Sequence, residues 1–369
     1  MYVILFVIIA ALWLAYSNGA NDNIKGVATL YGSDTTSYKR ALYWATITTF
    51  AGSVFSIFAA RRLVITFSGK GLVSDALVGS PEFAAAVGLG AAMTIFIATR
   101  IGMPTSTTHA LIGGLLGTGV AARTQIATGV LVSKFAIPML TSPILAILSA
   151  GCLYIFFTNL RRWLGVTKET CVCVADGSFQ PVRITESGAM VMSSPGLDLT
   201  VDETARCIQR YHGAAVGVHA QSSLDAMHYL SAGAVCFSRA VNDTPKIAAL
   251  LLMATALSPG IGIALIAVAM ILGGLIHSKR IAETMGNRIT DLNTGQGFTA
   301  NITTAGLVLF ASNLGVPVST THVSCGSVFG IGVVNRQCRW TTVTGILGTW
   351  ITTLPAAGIF SASLYLLLA

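Results

Sequence analysis

Ser17-Asn18-Gly19-Ala20-Asn21-Asp22-Asn23-Ile24-Lys25 returns 221 residues later as Ser238-Arg239-Ala240-Val241-Asn242-Asp243-Thr244-Pro245-Lys246. The two stretches share an Asn-Asp-x-x-Lys core. A second motif, Gly102-Met103-Pro104-Thr105-Ser106-Thr107-Thr108-His109, returns as Gly315-Val316-Pro317-Val318-Ser319-Thr320-Thr321-His322 at an offset of 213. Gly113 and Gly117 are answered in the same way by Gly326 and Gly330. Different motifs recurring in one order at nearly one offset mark an internal duplication.

The surroundings of these motifs fix the solvent. Of 369 residues, 53% are apolar and 10% charged, against roughly 25% charged in soluble domains. Mean hydropathy is +0.74. So few charges cannot cover a soluble surface, and runs of about twenty apolar residues match a hydrocarbon core of about 30 Å. The chain reads as an all-α integral membrane protein. The net charge of +8 does not indicate nucleic acid, because the basic residues come in ones and twos at the ends of apolar runs. Lys39-Arg40, Arg61-Arg62, Arg161-Arg162 and Lys279-Arg280 suit headgroup anchors. The apolar N-terminus lacks a basic n-region, so the first helix is expected to be retained. Cys152, Cys236 and Cys325 fall in apolar segments as ordinary buried thiols. Cys171, Cys173 and Cys207, in a polar stretch, have no metal spacing and read as reduced.

Charge-free stretches cover 41–60, 83–99, 101–122, 135–160, 247–278, 298–335 and 340–369. About five hydrophobic units fall in each half. The polar gap between them holds six of the fourteen acidic residues and six basic ones, which suits a compact extramembrane loop. The expected organisation is a first transmembrane repeat over 1–160, a central loop over 161–223 and a second repeat over 224–369. An odd number of crossings per half would set the repeats in inverted topology, with broken helices meeting at the bilayer midplane, as in many secondary transporters.

Asp22 and Asp243 are the carboxylates set well inside apolar segments, where charge is costly and normally has a partner and a task. Gly19-Ala20 and Pro245 loosen the helix beside them. Unwound backbone carbonyls next to Asn21, Asp22, Asn242 and Asp243 would then offer hard oxygen ligands to Na⁺. Lys25 and Lys246, three residues on, could instead make plain ion pairs on the same helix face. Pro104 and Pro317 suit the first turn of a helix. The hydroxyls of Ser106, Thr107, Thr108, Ser319, Thr320 and Thr321 then join unpaired N–H groups at the positive helix end, a cradle for phosphate or sulfate. His109 and His322 are expected to donate to nearby backbone carbonyls, and the glycine pairs to permit close helix packing. The Asn301-Ile302-Thr303 sequon lies in an apolar run and reads as accidental. Gly88-Leu89-Gly90 follows no strand and is no dinucleotide loop.

The paired motifs, over both halves, resemble the inorganic phosphate transporter (PiT) family of cation-coupled symporters. The resemblance implies phosphate carried inward by alternating access with Na⁺, or H⁺ in some members, by a multi-pass cell-membrane protein that is often a homodimer, with no enzymatic activity and no tightly bound cofactor. It places Asn21, Asp22, Asn242 and Asp243 at the cation and substrate centre and the Ser-Thr-Thr hydroxyls around the anion. One departure stands out: family members commonly have asparagine at the position of Lys25, whereas lysine at that of Lys246 is usual. The extra ammonium could displace a bound cation or touch the anion, as Lys246 could. Sulfate or another tetrahedral oxyanion, proton-coupled, is the alternative substrate. An uncoupled anion channel is less favoured. An intramembrane aspartyl protease would need two carboxylates sharing a proton, which an Asn before and a Lys after each aspartate disfavour.

Overall fold

A computed structural model describes residues 2–59, 61–175, 183–184, 190–191, 198–203, 216–253 and 258–369. Ten main helices carry the two halves. The first half holds α1 (Tyr2–Asp22), α2 (Tyr38–Ala59), α3 (Pro81–Ile101), α4 (Thr107–Ala121) and α5 (Ile137–Trp163). The second holds α6 (Ala220–Met253), α7 (Pro259–His277), α8 (Thr294–Leu314), α9 (Thr320–Val334) and α10 (Trp340–Leu368). The five hydrophobic units expected in each half are therefore present. α3 and α8, and likewise α4 and α9, begin and end 213 residues apart.

The matching boundaries have matching causes. Ser80 caps α3 with its hydroxyl, ahead of Pro81 at the first helical position. Asn293 and Gln296 form a capping box at the start of α8. Both helices end on a glycine in the left-handed region, Gly102 at φ 83° and Gly315 at φ 72°. There the Met103 N–H reaches the Ala98 carbonyl and the Val316 N–H the Ala311 carbonyl, a Schellman ending that tolerates little but glycine. The chain then runs extended for a few residues before Ser106 and Ser319 cap α4 and α9. The apolar stretches expected over 101–122 and 298–335 are thus each broken at this turn. Pro104 and Pro317 lie ahead of the caps, outside the first turn where they were expected. They stiffen the extended entry instead.

Six of the helices among the described residues are long and apolar enough to cross a membrane. α4 and α9 have 15 residues each, about 22 Å at 1.5 Å per residue, too short to span. Large apolar side chains stand exposed along α2 (Ile47, Phe50), α5 (Leu140, Ile144, Leu148) and α10 (Ile351, Ile359). A surface of that kind suits contact with lipid. The headgroup anchors fall at helix ends as expected: Lys39-Arg40 opens α2 and Arg161-Arg162 closes α5.

The halves are interwoven. α1 packs on α7, and α10 packs on α3 and α4. An added Cβ on Gly117 would fall 2.0 Å from the Gly358 carbonyl oxygen of α10, and one on Gly330 would fall 2.3 Å from the Ile147 carbonyl of α5. The glycine pairs therefore do let helices touch backbone to backbone, and each short helix has one of the long, Pro-containing helices α10 and α5 against it. Cys236 and Cys325 are buried as expected, whereas Cys152 is exposed on α5. Cys207 and the side chain of Cys173 lie outside the described residues.

The chain divides into two compact units, Met1–Tyr154 with His228–Ala369, and Ile155–Met227. The second contains a three-stranded antiparallel sheet, with strand Thr170–Ala175 between Asp198–Glu203 and Val216–His219. The helical segments extend to Trp163 and resume at Ala220, a few residues inside the 161–223 boundaries read from the sequence.

Gly117→Ala and Gly330→Ala should each cost about 1–3 kcal/mol or more through backbone overpacking. Gly348, where an added Cβ would meet nothing within 4 Å, should accept alanine without loss. Thermal unfolding of the detergent-solubilised protein measures both, and equal behaviour of all three variants would contradict the packing.

Candidate functional site

The two Asn-Asp motifs and the two Ser-Thr-Thr motifs converge. Asp22, Asn21, Asn242, Asp243 and Lys246 are fully buried or nearly so, and Lys25 is 3% exposed. α1 ends at Asp22 and the chain turns through the following residues, the unwound stretch expected of the first motif. The second motif departs from expectation: α6 continues through Asn242, Asp243 and Pro245. Ser53 helps to hold that segment by accepting from the Thr244 hydroxyl at 3.0 Å.

Each lysine is held by three kinds of oxygen. The Lys25 ammonium donates to the Asp22 carboxylate, to the Thr105 carbonyl at 3.0 Å and to the Thr321 hydroxyl. Lys246 donates to Asp243 at 3.2 Å, to the Val318 carbonyl at 3.0 Å and to the Thr108 hydroxyl at 2.8 Å. Thr105 and Val318, and Thr108 and Thr321, are equivalent positions of the duplication. Each lysine therefore takes a carbonyl from its own half and a hydroxyl from the other. The threonines complete the loop: Thr321 donates to the Thr105 carbonyl, and Thr108 to the Val318 carbonyl at 3.1 Å. Thr107 approaches Asp22 at 3.5 Å and Thr320 approaches Asp243 at 3.4 Å.

The asparagines hold the extended entries. Asn21 donates to the Thr99 hydroxyl at 2.9 Å and accepts from the Thr105 N–H at 3.0 Å. Asn242 accepts from the Ser312 hydroxyl at 3.1 Å and donates to the Val318 carbonyl at 3.3 Å. Ser106 and Ser319 are occupied as caps, accepting from the N–H groups of His109 and His322 at 3.2 Å. Their hydroxyls thus close the helix start, and Thr107, Thr108, Thr320 and Thr321 carry the inward-facing polar surface.

Two residues given no role by the sequence reading complete the cluster. Asn18 donates to Thr107 at 2.8 Å and to both aspartates at 3.2 Å. Arg239, at the matching position of the second half, is 1% exposed. It donates to Asn18 at 2.9 Å and to Thr49 at 3.1 Å, and stands 4.0 Å from Asp243. Its Nε has no partner. The available signal was an arginine inside an apolar run, four residues ahead of an aspartate. Arg239 also lines, with Lys25, Val235, Thr304, Val308, Thr320 and Ser324, a crevice that in this state has no room for a water molecule. A larger cavity of about 380 Å³ is apolar in lining, around Ile57, Val64, Leu251 and Ile263, and holds none of this chemistry.

Of the two histidines, His109 differs from expectation, while His322 keeps a backbone contact at Met139. His109 Nδ1 bonds the Ser106 hydroxyl at 2.9 Å. His322 has no hydrogen-bond partner of good geometry and stacks on Trp350 with ring centroids 3.8 Å apart. Asn301 is buried and donates to Thr29 at 2.9 Å, so its sequon is unreachable. Among the described residues no group of three or more His, Cys, Asp or Glu side chains could hold a metal ion.

Breaking a buried ion pair from one side costs about 3–5 kcal/mol, whereas replacing both partners by apolar groups is far milder. Asp243→Leu should therefore lower the unfolding temperature more than Asp243→Leu with Lys246→Met. A double variant as unstable as the sum of the two single variants would contradict the pairing.

Comparison with known proteins agrees with this architecture. A model of the phosphate transporter family matches residues 18–361. A probable low-affinity inorganic phosphate transporter of Rhizobium meliloti is 29% identical, covering 97% of this chain and 94% of its own. One from Mycobacterium tuberculosis strain H37Rv is 26% identical, covering 99% of this chain and 77% of its own. A solved structure of a protein described as the sodium-dependent phosphate transporter superposes with a TM-score of 0.77 at 22% identity, over 100% of this chain and 99% of that one, and so shares the fold. The chain is a multi-pass membrane protein and a transporter rather than an enzyme, and it belongs to the phosphate transporter family.

Proposed function

We propose that this protein imports inorganic phosphate by alternating access, with the anion bound where the four motifs meet and positive charge accompanying it. The observation that carries the reading is the buried cluster of Lys25, Arg239 and Lys246 beside the first turns of α4 and α9. Charged groups that bond tetrahedral oxyanions are rare inside a membrane unless they work there. Helix starts add unpaired N–H groups and the positive end of the dipole. The crevice beside Arg239 is closed in this state; a shift of the halves opens it to the anion, which bonds the free guanidinium Nε and takes the place of an oxygen now held by Lys25 or by Thr320.

The interwoven packing supports the moving parts. Each short helix rides on a long neighbour, α4 on α10 and α9 on α5, so a shift of one half against the other exposes the site to one side at a time. An odd count of crossings per half inverts the repeats, as it does where the α3–α4 and α8–α9 pairs each enter and leave on one face and three other helices cross. Driving force is needed because moving one negative charge inward costs about 2.3 kcal/mol per 100 mV of inside-negative potential. A cation gradient supplies it: sodium, on which the structural neighbour is described as dependent, or protons, the other coupling ion that the family resemblance implies.

Reconstituted protein should take up radiolabelled phosphate saturably and show counterflow, which an open channel does not. Arg239→Met should lower the uptake efficiency by roughly tenfold or more, the loss expected for a charge-assisted contact. Arg339→Met, which removes a solvent-exposed pair with Asp291, should leave uptake unchanged. Sulfate carried in preference to phosphate would overturn the substrate, and wild-type uptake in Arg239→Met would overturn the site.

A further inference from the structure

The expected sodium ions need oxygen ligands of a particular kind, and the structure has already given those oxygens away. A carboxylate, a main-chain carbonyl and a hydroxyl converging within a buried break make a hard-cation site. Such a set exists twice: Asp22 with the Thr105 carbonyl and Thr321 hydroxyl, and Asp243 with the Val318 carbonyl and Thr108 hydroxyl. At the focus of each stands an ammonium nitrogen, that of Lys25 or of Lys246, bonded to all three members. The residues present do not fit a metal ion in addition, because a second cation there would share every ligand with a fixed ammonium at contact distance.

Charge balance agrees. Lys25 and Lys246 answer Asp22 and Asp243, and moving a proton within either pair leaves that sum at zero. Arg239 is then the unbalanced charge, since its counterpart in the first half is the neutral Asn18. A singly charged oxyanion beside Arg239 closes the whole cluster to neutrality with no metal ion. Burying a neutral assembly avoids most of the desolvation cost that a net charge would carry.

We propose that the Lys25 ammonium stands where a coupling sodium ion would sit, filling the first motif's oxygen set as the family-typical Lys246 fills the second, so that this chain binds and carries its anion without sodium, its charge balanced by Arg239. The anion's identity rests on the phosphate reading above; the absence of sodium from these two sites does not.

The test has two arms. In proteoliposomes of the full chain, initial phosphate uptake with sodium replaced by choline should stay within about twofold of that with sodium, and Lys25→Asn should lose uptake in choline and regain it with sodium. The double variant Lys25→Asn with Asp22→Asn, lacking the carboxylate, should not regain it. A wild-type rate that collapses in choline overturns the proposal. If no phosphate moves in either medium, the phosphate reading fails, and the second arm still decides. Thermal unfolding of the detergent-solubilised wild type, without phosphate, should be the same in sodium chloride and in choline chloride, while Lys25→Asn gains saturable stabilisation from sodium. Saturable, sodium-specific stabilisation of the wild type overturns the proposal.

Discussion

The structure depends on two buried lysine–aspartate pairs that fasten each half of the chain to the other. An ion pair buried in a low-dielectric interior repays its desolvation only when further hydrogen bonds saturate it. Here the saturation is reciprocal. Lys25 of the first half needs Thr321 of the second, and Lys246 of the second needs Thr108 of the first. Each half pairs its own lysine and aspartate but takes the last ammonium bond from the other half, so the polar centre and the interface between the halves are one object. This also suits the centre to chemistry: its groups are held by partners that an anion or a relative movement of the halves can replace.

Close backbone contact is the second constraint, and it serves the first. The starts of α4 and α9 must reach the opposite lysine, so both short helices have to sit deep against α10 and α5. Glycines at Gly117 and Gly330 remove the side chains that would hold them off. The left-handed turns at Gly102 and Gly315 then reverse the chain tightly enough to present the Thr105 and Val318 carbonyls inward. The exposed apolar flanks of α2, α5 and α10 face lipid, so the polar groups have only one another for partners.

Much of this was legible in the sequence because duplication makes a motif its own control. The repeats of Asn-Asp-x-x-Lys and of Pro-x-Ser-Thr-Thr-His marked segments that the fold brings together, and their offset of 213 recurs in the bounds of α3 and α8 and of α4 and α9. What was not legible has physical reasons. Whether a proline breaks a helix depends on what holds the segment around it; Pro245 sits within α6, where Thr244 bonds Ser53, while Pro104 stands outside its helix. Serine ahead of a helix can cap or can bind, and the cap took Ser106 and Ser319. The weight of Arg239 is invisible until Asn18 is found opposite it, because the two are equivalent in sequence and different in charge. The choice between metal ligand and ion pair at Asp22 turned on where one ammonium nitrogen lands, which spacing alone does not give.

The most direct measurement is a density map, at a resolution that separates side-chain atoms, of the protein saturated with phosphate in sodium-free buffer. The account predicts tetrahedral density beside Arg239 and Thr320, with Lys25 and Lys246 still seated on the Thr105 and Val318 carbonyls. Anion density away from this cluster, or lysines swung out of their oxygen sets, would contradict it.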